Sequence, residues 1–328
     1  MLRSSASRRM TAPSAFPNTV GWGIALAVGA ALISGLAIYL NGFAVKQLPD
    51  AAVYTTLKNA VAAIVLVAAA IAVGGLRETR AIDHRRWGAI LAVGVVGGSV
   101  PFILFFTGLA QASAPSAAFI QKTLFVWVAL LAAPLLGERL GVAPILALGV
   151  LFVGQLLVLP PSGIAWGTGE TLILAATLFW AAETILVKRL LGSVGSISMA
   201  TLRMTVGLVI LFAYLAVTNR ISTILELGPV ELGWVLVTGV ILAGYVGTWF
   251  AALQRAPASL VTSVLVVGAV ITGTLTAVSK GAPPSPSVVG GYVLIVVAIV
   301  VIAVTARRSV ALLEDDTSRS APRGVFGT

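Results

Sequence analysis

Ten runs of about 20 mostly apolar residues follow one another along this chain of 328 residues. About 20 such residues carry a helix across a bilayer. The runs lie at roughly 20–45, 51–74, 87–110, 115–136, 141–160, 168–188, 199–218, 232–253, 257–279 and 287–306. Proline, glycine and charge separate them, in stretches such as "KQLPD", "GERLG", "PPSGIAWGTGE" and "KGAPPSPS". A membrane β-barrel is excluded, because the runs are too long and do not alternate apolar with polar residues. A water-soluble fold is excluded too. Only 10% of the residues are charged, where a soluble domain carries about 25%. The expected fold is an all-α integral membrane protein with ten transmembrane helices.

Basic residues set the expected orientation. Of the 21 Lys and Arg residues, 15 fall in the tails and loops that share a side with the N-terminus. Three (Lys46, Arg220, Lys280) fall on the other side, and three (Lys58, Lys122, Arg203) lie within spans. The positive-inside rule then puts both termini in the cytosol. Residues 1–19, which lack a signal-peptide cleavage site, are expected to form a disordered cytosolic tail, and 307–328 a second cytosolic tail. A net charge of +10 would suggest nucleic acid in a soluble protein. Here it follows from topology, and no nucleic-acid partner is expected.

The chain also repeats itself. "LAQASAPSAAFIQ" (109–121) resembles "LQRAPASLVTSVL" (253–265), and "TTLKNAVAAIVL" (55–66) resembles "ATLRMTVGLVIL" (200–211), which pairs Lys58 with Arg203. Apolar sequences do look alike, but the paired basic positions and paired short loops argue against chance. The halves, 20–160 and 168–306, hold five spans each. Five is odd, so the halves enter the membrane in opposite directions. Inverted repeats mark secondary transporters, whose substrate site lies near the midplane between them.

"ASAPSAAFIQKTLFVWVALLAAPLLGERL", with Gly137, Glu138, Arg139 and Leu140 as its closing "GE-R-L" turn, resembles the EamA family of the drug/metabolite transporter superfamily. "GETLILAATLFWAAETILVKRL" followed by "MATLRMTVGLVILF" resembles the opening of that family's second repeat. The resemblance spans about residues 20–306. It implies an export-type secondary carrier of small metabolites, often amino acids or related compounds, coupled to an ion gradient. The proline expected near Leu124–Phe125 in span four is missing, with Pro134 coming late, and "VSKGAP" stands where a second "GE" would fall.

Charges inside a bilayer are costly and tend to be functional. Lys122 is the first candidate. Either backbone carbonyls cap it or burial leaves it neutral, or it meets an anionic group of the substrate, with Gln121 lining the same cavity. Depth along the helices puts Lys58 and Lys122 in the outer half, where Lys58 is expected to snorkel to the interface. Glu183 and Arg203 share the inner half, either as a structural ion pair or with Glu183 as a proton-coupling carboxyl. Tyr39 and Asn41 close span one. Trp180 shares a helix face with Glu183, as Tyr245 does with Trp249. These aromatics are candidates for cavity lining. Glu138 is read as a helix-end residue that shapes its turn.

Other classes fit less well. No "GxxxxGK[ST]" phosphate loop is present. With no cysteine, one loop histidine (His84) and no close carboxylate pair, neither a metal site nor an intramembrane enzyme is expected. No cofactor is expected either. The expected partners are a small-molecule substrate, a coupling proton and the lipid bilayer, in a bacterial plasma membrane. A non-transporting sensor or scaffold, and a carrier working in uptake, are the alternatives.

Overall fold

Caps and helix breakers delimit the elements. The computed structural model describes residues 19–138, 141–158 and 165–320, and their regular structure is entirely helical. The first half comprises α1 (Thr19–Gln47), α2 (Ala51–Ala72), α3 (Gly75–Arg80), α4 (Trp87–Val96), α5 (Val100–Gln111), α6 (Ala114–Lys122), α7 (Leu124–Leu136) and α8 (Val142–Val158). The second comprises α9 (Thr168–Leu190), α10 (Ser196–Val217), α11 (Pro229–Arg255), α12 (Ala258–Val264), α13 (Val267–Ser279) and α14 (Pro286–Ser320). Asp50 starts α2 by accepting from the amides of Ala52 and Val53 at 2.7 and 3.0 Å. That is the usual way an orphan helix N-terminus is satisfied.

Nine helical stretches among the described residues are long and apolar enough to cross a membrane, counting α4 with α5, α6 with α7 and α12 with α13. The tenth expected span is α8, shorter at 17 residues. Residues 1–18 of the first expected tail and 321–328 of the second fall outside the described residues, as do Arg139 and Leu140 of the "GERL" turn. Helix α14 continues to Ser320, past the expected end of span ten at 306.

Three expected spans are broken, a difference from the uninterrupted runs in the sequence. Span three breaks at Gly97–Gly98–Ser99, span four at Thr123 and span nine at Leu265–Val266. Pro101 follows the first break and withholds the N–H that would pair with the Gly97 carbonyl, while the other two breaks have no proline beside them. Around Leu265–Val266 the backbone tightens to i→i+3 bonds, Gly268 to Leu265 at 3.0 Å and Ala269 to Val266 at 2.9 Å. Such interruptions survive at membrane depth only where protein or a cavity covers the freed backbone groups.

Small residues set the packing. A Cβ on Gly35 of α1 would lie 2.6 Å from the Gly268 carbonyl, and one on Gly98 would lie 2.5 Å from the Arg203 carbonyl. The α1–α13 and α4/α5–α10 crossings are therefore backbone to backbone, as small residues permit within membranes. Helices α8 and α14 pair with each other through Gly154 and Gly291. The centre is left to α1, α2, α5, α6, α7, α9, α10 and α11, drawn from both halves.

Candidate functional site

At the break in span three the Gly97 carbonyl has no helical partner, because Pro101, four residues on, has no N–H to give it. Gly97 O accepts from Arg203 Nη2 at 2.8 Å and from the Trp180 indole at 3.2 Å. Glycine is required there, because a Cβ at position 97 would collide with the Glu183 carboxylate. Arg203 grips that carboxylate with two nitrogens, Nε to Oε1 and Nη2 to Oε2, the latter at 3.1 Å. Its guanidinium also stands 5.3 Å from the Phe102 ring centre and 5.7 Å from that of Phe250. Both members of the pair are buried. The planar fork matches the carboxylate bidentately.

A second polar centre forms around Lys58. Its Nζ donates to Asn41 Oδ1 at 2.8 Å and lies 3.8 Å from the centre of the Phe106 ring. The Tyr54 hydroxyl reaches the same Asn41 oxygen at 2.5 Å and Thr238 Oγ1 at 2.9 Å, joining α1, α2 and α11. Lys58 is 2% exposed. The expected snorkelling is thus corrected: Asn41 and the Phe106 face draw the ammonium inward, to the cavity. Among the described residues no carboxylate lies within ion-pair distance of it.

Lys122 sits at the end of α6, where span four breaks. Its Nζ donates to Ser34 Oγ at 2.6 Å and to Gln121 Oε1 at 2.7 Å. Gly268, just past the break in span nine, gives it room, since a Cβ there would lie 2.8 Å from Lys122 Cε. Lys122 therefore stands behind the cavity wall, while its two partners, Ser34 and Gln121, face the cavity. It too has no carboxylate partner among the described residues.

These groups line one central cavity of about 70 Å³, several times the space a single water needs. Lys58, Gln121, Trp180, Glu183, Arg203, Tyr245 and Trp249 border it. Depth along the sequence had divided the basic residues between two levels, but the fold brings Lys58, Glu183 and Arg203 to one space. Tyr39 is not on that wall; it packs edge-on against Phe43 at 5.0 Å between ring centres. Tyr245 and Trp249 stack at 6.0 Å. Sequence reading missed Phe102, Phe105 and Phe106, an aromatic wall on α5. Their spacing marks one helix face, but nothing in that spacing separates a cavity face from a lipid face.

A central polar and aromatic cavity, walled by helices of two halves and flanked by interrupted spans, is the architecture of a solute carrier. The sequence matches the EamA-like transporter family over residues 21–159 and again over 167–304, and the chain belongs to that family. It is thus a multi-pass membrane protein of a transporter family within the drug/metabolite transporter superfamily. A solved crystal structure is similar over 87% of this chain and 98% of its own, with a TM-score of 0.69 and 20% identity, a likeness of fold alone. No curated protein matches the sequence.

Proposed function

We propose that the protein is a secondary carrier that moves a small anionic or zwitterionic organic solute, such as an amino acid, by alternating access through the central cavity. One observation carries the reading. Lys58 faces the cavity and Lys122 stands one side chain behind it, and neither has a carboxylate partner among the described residues. The Glu183–Arg203 pair is balanced within itself, so any charge left over in the site is positive. A buried cation of this kind is stabilised by an incoming anion. In this reading Lys58 is the direct counter-charge, and Lys122 acts through Gln121 and Ser34. The aromatic walls hold the solute's apolar body.

Glu183 is the proposed site of proton coupling. Adding a proton to it would loosen its grip on Arg203, and a buried carboxyl of this kind can load and release a proton as the cavity faces one side and then the other. Export, both termini in the cytosol of a bacterial plasma membrane and α8 as the tenth span complete the proposal. Gly21 of α1 lies beside the Arg307 guanidinium of α14. The two ends of the bundle thus share a face, as an even number of crossings requires.

Flux into proteoliposomes tests this, over a panel of amino acids and small organic anions. Lys58→Gln is expected to lower flux of the transported solute by roughly a hundredfold, in line with loss of a charge-assisted contact in a buried site. Lys122→Gln is expected to lower it less, and Lys122→Arg to keep part of it. Wild-type flux in both glutamine variants would defeat the proposal.

A further inference from the structure

Two carboxylates of the first half end on helix N-termini of the second. Glu138 Oε1 accepts from the Ala258 amide at 2.6 Å, and its Oε2 from the Ser259 amide at 3.1 Å and the Ser259 hydroxyl at 2.6 Å. These groups open α12, whose own N-cap residue, Pro257, offers no side-chain acceptor. Glu78 does the same for α10: its Oε1 accepts from the Gly195 amide at 2.5 Å and its Oε2 from the Ser198 hydroxyl at 2.6 Å. Gly195, the N-cap of α10, likewise brings no capping side chain. A third tie crosses on the same face, from Arg189 Nη2 to the Leu135 carbonyl at 2.6 Å.

The opposite face is built differently. There α2 and α6, the matching helices of the first half, are capped from within by Asp50 and Ser113. The turns that should supply cross-half caps both turn on a left-handed glycine. Gly137 ends α7 at φ 69° and Gly281 ends α13 at φ 61°, and the next amide closes each turn, Glu138 N to Ala132 O and Ala282 N to Ala277 O. Yet the residue after the glycine is glutamate in one turn and alanine in the other. Across that second face the ion pair between halves is Arg220 with Asp50, at 2.8 Å and partly exposed.

We infer that Glu78 and Glu138 form a latch that holds the carrier shut on the face bearing the α1 N-terminus and leaves the opposite face as the one that opens first. The inference rests on the alternating-access reading. To open toward the latched face the halves must part, and two helix N-termini then lose charge-assisted acceptors at once, with no substitute in their own sequence. To open the other way breaks the partly exposed Arg220–Asp50 pair, while α2 and α6 keep their caps.

Because the chain contains no cysteine, single cysteines report access without background. Ala37→Cys on α1 reports the cavity from the opposite face, and Thr184→Cys on α9 from the latched face. Membrane-impermeant thiol reagent is applied from each side of oriented vesicles. Glu138→Ala and Glu78→Ala are each expected to raise labelling at Thr184→Cys from the latched face, relative to Ala37→Cys from the other, by about tenfold. Ser259→Ala, which removes one bond of the three and leaves α12 intact, is expected to shift the ratio in the same direction by less. Arg220→Ala is expected to shift it the other way.

A lower melting temperature in Glu138→Ala and Ser259→Ala with an unchanged ratio would overturn the latch and leave both residues as ordinary caps. If neither cysteine is reached from its own face in the wild type or any variant, alternating access itself is wrong.

Discussion

At the residue scale, Glu183 and Arg203 show how a buried charge is tolerated and what removing it does. Arg203→Ala strands the carboxylate in a site with no other cation bonded to it, and such a loss costs about 3–5 kcal/mol. Thermal unfolding in detergent is expected to register a drop of that size. In the double variant Glu183→Leu/Arg203→Met most of the loss is expected to return, since an apolar pair of similar volume often replaces a buried ion pair without penalty. Flux is expected to stay lost. A double variant that transports normally would remove the pair from the mechanism. The sequence displayed all four intramembrane charges, because charge in an apolar run is conspicuous. It did not show where Lys58 points. Tyr54, four residues back, shares its face of α2, but Asn41 is 17 residues away along the chain, and only the packing of α1 against α2 makes it a neighbour.

At the scale of elements, the breaks in spans three, four and nine decide what the site can be. The Gly97 break delivers a bare carbonyl to Arg203, and the Thr123 break lets Gln155 of α8 donate to the Phe119 carbonyl at 2.6 Å. Gly98→Ala is expected to push α4 and α5 off α10, since its Cβ would meet backbone at 2.5 Å. Overpacking of this kind costs about 1–3 kcal/mol. Gly88→Ala, which meets nothing within 4 Å on the same helix, is expected to be neutral or mildly stabilising. Equal melting temperatures for the two would refute the backbone-contact account. "GVVGGS" advertised close packing in the sequence, and its Gly97–Gly98 pair with Pro101 marked where span three could flex, but the breaks at Thr123 and Leu265–Val266 carried no sequence signal. Their stability comes from partners on other helices.

At the scale of the whole molecule, the question is whether α8 crosses the membrane. It is 17 residues long, about 26 Å at the helical rise, and it packs mainly on α14, with lesser contact to α13 and the Gln155 bond to α6. If it crosses, Gly141→Cys and Ala165→Cys, on either side of it, label from opposite faces of oriented vesicles. Labelling from one face would make α8 re-entrant or peripheral and reverse the proposed direction of the second half.

The sequence alone determined that this chain lives in a bilayer, that it is helical and that it contains two related halves. Length, hydropathy and repetition are properties of each segment and need no partner to be read. Only the tertiary structure decided which side chains share a cavity, because a helix has a face but no knowledge of what lies opposite it. Lys58 became a cavity residue, and Tyr39 did not, through the crossings of α1, α2, α5 and α11. Glu138 became a cap for α12 because the two halves close on each other where its turn ends.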